Sequence, residues 1–257
     1  MLKTVADADA VLALALDIGK SMVRCGAEIN RVEETVIRIC HAYGFDRTDV
    51  FSVISMIDAT VTDEKGVSHT QMRRIHTRGV NFRRLENLNA LSRKICAQTP
   101  EIEKAREELA VICIENKRFD IFVCMGYVVA AMGFTVFFGG SLSDSLASAP
   151  IACVLYVINL YVKVTGVNKL FFTALSSFVA GIGAITFVHF GFGNDANMIM
   201  IGDIMLLIPG LMLINSVREM LCGDLMSGLL RLLESVVLAL SIACGFAVAI
   251  MTLGSIW

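Results

Sequence analysis

Charge is scarce in the second half of this 257-residue sequence. After residue 118 the only basic residues are Lys163, Lys169, Arg218 and Arg231, and the only acidic ones are Asp120, Asp144, Asp195, Asp203, Glu219, Asp224 and Glu234. A water-facing domain of that length needs more, so residues 119–257 are expected to lie in a membrane, with 1–118 as a polar domain before them. The opening stretch has no basic run ahead of an apolar core, and Asp7, Asp9 and Asp17 interrupt it. No cleavable signal peptide is expected, which leaves the N-terminal half in the cytoplasm. The eight cysteines form no C-x-x-C pair and no metal-ligand spacing, so scattered reduced thiols are expected and no metal or cofactor. A net charge of −2 gives no electrostatic case for nucleic acid.

What is present is hydrocarbon. The chain is 56% hydrophobic with a mean hydropathy of +0.69, well above a soluble domain. Five apolar segments follow the boundary near Lys117-Arg118-Phe119: about 119–138, 146–165, 170–192, 197–217 and 229–254. Each approaches or exceeds the ~20 residues that cross a bilayer core. The loops after the first and third segments carry no Lys or Arg, whereas Lys163, Lys169, Arg218 and Arg231 flank those after the second and fourth. The positive-inside rule then predicts an α-helical bundle of five spans, N-terminus inside and Trp257 outside. Small residues recur at packing intervals in Gly126/Ala130, Ser177/Gly181 and Ser241/Gly245/Ala249.

The N-terminal half reads as a small α+β domain. Val11, Ala15, Ile18, Met22, Cys25, Ile29, Val32, Val36 and Cys40 form one apolar stripe, which predicts a single helix over 8–42 ended by Gly44. Glu34 and Arg38 stand in the favourable i,i+4 order. Strands are expected around a turn at Asp63-Glu64-Lys65-Gly66, then helices over about 84–97 and 101–116, the second capped by Thr99 with Pro100 at its first position.

Several stretches invite a chemical reading. "DIGKS" at 17–21 ends like a phosphate loop, but Leu14 stands where the loop's first glycine belongs and the stretch sits in a helical stripe. His41, His69 and His76 have no companions at metal spacing. "GAEINRVEE" places Gly26 in a helix interior, at a cost of about 1 kcal/mol against Ala, which points to close packing there. Glu28 and Arg31 can pair at i,i+3 with Glu33 nearby, and on spacing alone a solvated helix face with ordinary ion pairs is the favoured reading.

The membrane half carries sharper signals. An Asp in a spanning helix costs roughly 2.5–3.5 kcal/mol on insertion scales, so Asp203 is expected to face a cavity or a partner. It falls about six residues, or ~9 Å, from the segment's outer end, where an interfacial carboxylate near a helix N-terminus, favoured by the dipole, is the alternative. Pro209 removes a donor, frees the Met205 carbonyl and kinks the helix. Gly210, seven residues after Asp203, falls on nearly its face, while Asn215, Arg218 and Glu219 share a face near the inner end. Asn159 and Glu234 add polar groups at the same level. A kinked, polar-lined helix among apolar ones suits a solute pathway.

Two passages, "SMVRCGAEINRVEETVIRICHAYGF" and "LLIPGLMLINSVREMLCGDLMSGLLR", resemble the threonine/serine exporter family, and more closely the N-terminal component of its split form. The motifs are G-A-E-x-x-R-V-E (Gly26, Ala27, Glu28, Arg31, Val32, Glu33) and P-G-x-x-x-I-N (Pro209, Gly210, Ile214, Asn215). The resemblance implies a subunit of a secondary exporter in the bacterial inner membrane, driven by the proton motive force. It implies small polar cargo, either threonine/serine-type amino acids or dicarboxylates such as succinate. It also implies a second, smaller multi-span subunit as partner, or a higher assembly. The competing readings are a membrane-anchored hydrolase using Glu28, Glu33 and His41, or a scaffold or sensor; no nucleophile-base set supports the hydrolase.

Overall fold

A computed structural model describes residues 7–76, 79–114, 120–165 and 168–253. The boundary expected at 117–119, and Trp257, lie outside the described residues. Packing divides the chain into two units: Met1–Glu115 with Ile214–Leu232, and Asn116–Leu213 with Leu233–Trp257.

The first unit is built around helix α1 (Ala8–Arg24), whose Val11, Leu12, Leu14, Ala15, Leu16 and Ile18 are all fully enclosed. A helix apolar on nearly every side must be wrapped, and α1 packs on helix α2 (Ile29–Ala42), strands β2 (Met56–Thr62) and β3 (Ser68–Arg74), and helices α3 (Phe82–Gln98) and α4 (Ile102–Cys113). Strand β1 (Arg47–Val53) completes an antiparallel sheet in the order β1-β2-β3. Period-2 alternation sends Ile57, Ala59 and Val61 into the core. Asp63 closes the β2–β3 turn by accepting from the amides of Lys65 (2.9 Å) and Val67 (2.8 Å), and Gly66 takes φ +79°.

The single helix expected over 8–42 is two. Gly26 adopts φ +92°, its N–H bonds the Val23 carbonyl and that of Ala27 bonds the Met22 carbonyl, so α1 ends in a left-handed cap. The apolar stripe runs on through the break because both helices bury the same phase, and Cys25 and Ile29 are both enclosed. Gly26 is therefore a turn residue, with the Gly79 carbonyl 3.2 Å from where a Cβ would sit. The cap at Thr99 also moves: Thr99 (φ 40°) ends α3, Glu101 is the N-cap of α4, and the Pro100 carbonyl accepts from the Tyr43 hydroxyl at 2.7 Å. Gly44 stops α2 at φ +100°, and Glu34 pairs with Arg38 at 2.5 Å, both as expected.

The second unit holds helices α5 (Ile121–Phe137), α6 (Leu142–Thr165), α7 (Lys169–His189) and α8 (Ala196–Leu207), the first residues of α9 (Gly210–Leu221) and most of α10 (Leu225–Leu253). These coincide with the five apolar segments. Among the described residues α6, α7 and α10 are long and apolar enough to cross a bilayer, and α8 with α9 passes as one broken span bent by 52°. α5 is shorter, at 17 residues. Pro209 does more than kink its helix. Ile208 is extended (φ −60°, ψ 129°), as a residue before proline prefers, and the helix stops there and restarts.

Small residues set the α7–α10 crossing. A Cβ on Gly245 would collide with the Ser177 side chain and the Ala174 carbonyl, and one on Gly181 would meet Ala249 at 2.6 Å. Gly126, from the first expected pair, meets nothing within 4 Å. Gly245→Val is expected to lower stability in detergent by about 1–3 kcal/mol through overpacking. A thermal unfolding midpoint equal to wild type would show that the crossing yields.

Candidate functional site

Asp203, on α8, is fully enclosed by protein, and neither carboxylate oxygen has a hydrogen-bond partner. Its neighbour Gly202 lets α8 touch α5: a Cβ there would strike Thr135 and the Ala131 carbonyl. Thr135 cannot satisfy the carboxylate with its hydroxyl proton, because that hydroxyl donates to the Ala131 carbonyl at 2.9 Å. A buried, unsolvated carboxylate among Ile199, Met200 and hydrocarbon is a site under electrostatic tension. Gly210 does not share its face, because the helix is interrupted between them.

The other polar groups of this unit stand apart. Asn159, on α6, donates from its amide to the Tyr127 hydroxyl on α5. Glu234 lines a cavity of about 350 Å³ with Asn168, Lys169 and Leu170 from the start of α7 and Leu233, Val237 and Leu238 from α10. No hydrogen bond joins either group to Asp203.

The first unit brings together two motifs 190 residues apart. Arg218, on α9, bonds Glu28 at 2.6 Å, so Glu28 pairs with Arg218 and not with the exposed Arg31. Glu219 is enclosed and accepts from the Arg231 guanidinium of α10 at 2.7 Å, with side-chain exposures of only 3% and 10%. Glu33 accepts from the Ser52 amide at 2.6 Å; burial, with the nearby Asp224 charge adding, holds its carboxyl above the ordinary glutamate range. Asn215, on α9, is half-buried.

The enzyme candidates do not converge. Glu28 and Glu33 are engaged as described, and His41 faces Asp46 at 3.1 Å. Among the described residues no group of three His, Cys, Asp or Glu could hold a metal. "DIGKS" lies inside α1, where Asp17 pairs with Arg73 of β3 at 2.7 Å.

Sequence reasoning missed Arg231, Asp224 and Ser52 as members of the charged cluster, and it missed Asp144. That buried carboxylate accepts from the amides of Ser141 (2.8 Å), Asn194 (2.6 Å) and Asp195 (2.9 Å) and from the Ser141 hydroxyl (2.7 Å). It clips the α7–α8 loop to the start of α6. The S-x-x-D spacing of a capping box was the available signal, because the Asp144 N–H bonds the Ser141 hydroxyl at 3.2 Å in return. Asp144→Ala strands three backbone donors and is expected to lower stability by about 2–4 kcal/mol; a thermal shift under ~1 kcal/mol would contradict the clip.

The profile of the family described as "Putative threonine/serine exporter" matches residues 13–253, taking in both units and both motifs. The chain belongs to the threonine/serine exporter family. A Mycobacterium tuberculosis protein (strain ATCC 25618 / H37Rv) named "Probable threonine/serine exporter" is 22% identical over 244 residues, which are 93% of this chain and 46% of that protein. The chain thus spans about half the length of this exporter-family relative. No solved structure matches.

Proposed function

We propose that this chain is one subunit of a secondary active exporter that moves small polar metabolites out of the bacterial cytoplasm, driven by the proton motive force. The observation that carries this reading is Asp203, a fully buried carboxylate with unpartnered oxygens, six residues before a proline break in an apolar helix pair. Broken helices and ionisable groups at membrane depth are the features from which transport sites are built.

On this reading the spans are α5, α6, α7, the bent α8–α9 pair and α10, with the N-terminal domain in the cytoplasm, since the basic loop residues all fall on one side. Asp203, Asn159, Pro209, Gly210, Asn215 and Glu234 belong to the pathway or its mouths. Cargo is an amino acid of the threonine/serine type, and a dicarboxylate such as succinate is the other candidate. A second, smaller membrane subunit, as the likeness to the split form of the family implies, is part of this proposal. The test is efflux of threonine, serine and succinate from loaded cells expressing this chain alone and with such a subunit. Efflux of at least one cargo that needs both chains supports the reading; efflux at background with both chains present sinks it.

A further inference from the structure

We propose that Glu28, Arg218, Glu219 and Arg231 form a latch by which the N-terminal domain positions the α9–α10 elbow, and that export requires this latch. The inference rests on the exporter reading above.

The elbow is built into the N-terminal domain. Residues 214–232 pack within the first unit, although they lie a hundred residues beyond the rest of it. The α2 N-terminus is set by the Gly26 turn, with Glu28 as its N-cap residue. Within the elbow, the enclosed Glu219 of α9 accepts from the Arg231 guanidinium of α10. Glu28 binds Arg218.

The elbow is also packed as a block. Gly223 turns at φ +99°, and Gly228 brings α10 so close to α9 that a Cβ would strike Met220 and meet the Ser216 carbonyl at 2.7 Å. α9 begins directly after the Pro209 break, and α10 continues without interruption to Leu253. Displacing the elbow therefore displaces α9 at its hinge.

The latch is not fully satisfied. Glu219 Oε2 and Asp224 Oδ2 are buried without hydrogen-bond partners, and Glu33 brings a third carboxylate. Excess negative charge keeps such a contact weaker than an apolar seam, which suits a part that must release and re-form.

The test compares full-length wild type, Glu28→Arg, Arg218→Glu and the double swap E28R/R218E, with the partner subunit present. Two readouts are taken: hydrogen exchange across the first turn of α2, and threonine efflux at matched membrane abundance. Each single reversal sets like charges together and is expected to speed exchange about tenfold and cut efflux about fivefold. The swap is expected to bring both back within about twofold of wild type. If exchange follows this pattern while efflux stays at the wild-type level in every variant, or fails to recover in the swap, the latch plays no part in export. If wild type exports neither threonine, serine nor succinate, the exporter reading falls and this inference with it, while the exchange pattern still registers the contact.

Discussion

Asp203→Asn is expected to reduce export by about a hundredfold or more while leaving membrane abundance at or above the wild-type level. The amide has nearly the shape of the carboxyl but cannot take up and release a proton, so a step that depends on titration stops. It is also easier to insert in a bilayer than a carboxylate, so a folding defect is not the expected cause of the loss. The side chain is enclosed and its oxygens have no partner, so the substitution disturbs no hydrogen bond of the native protein. Asp203→Glu, which retains a titratable group at a slightly longer reach, is expected to keep measurable export. Full transport by Asp203→Asn at normal abundance would remove this residue from the mechanism.

Arg231→Ala is expected to have the largest effect on stability, about 3–5 kcal/mol, because it leaves the Glu219 carboxylate buried and without its counter-charge. Protein abundance and the thermal midpoint in detergent are the readouts. Removing both partners, as Arg231→Leu with Glu219→Leu, is expected to cost clearly less than Arg231→Ala alone, since no isolated charge remains. Equal destabilisation by the single and double variants would mean that the pair acts through packing and not through its charges.

Much of the architecture is legible in the residues, because the dominant forces are local in sequence. The apolar run lengths mark where the apolar helices fall, three of them, or four with the bent α8–α9 pair, long enough to cross a bilayer among the described residues, and the Asp63–Gly66 turn specifies the β2–β3 hairpin. The failures share a cause. A hydrophobic stripe reports which side of a segment is buried, not whether the segment is continuous, so the break at Gly26 was invisible to periodicity. The same limit put Gly210 on the face of Asp203, when Ile208 and Pro209 end one helix and begin another.

The site divides along the same line. Asp203 and Pro209 stand out as residue types placed where their type is costly, while Glu28, Glu33, Arg218 and Glu219 are legible only as members of polar motifs. Their partnerships are not legible: Glu28 has Arg31 three residues away, yet it meets Arg218 instead. A tertiary ion pair leaves no periodic trace, and Arg231 reads only as a loop-flanking charge until the structure places it on Glu219.

The proposed exporter, worked by a buried carboxylate and a proton gradient, is tested by efflux of labelled threonine from membrane vesicles carrying this chain with the proposed second subunit, measured before and after a protonophore is added. Efflux is expected well above that of vesicles lacking the chain, falling to their level once the gradient collapses. Efflux that continues unchanged without the gradient, or that never exceeds the control, would contradict it.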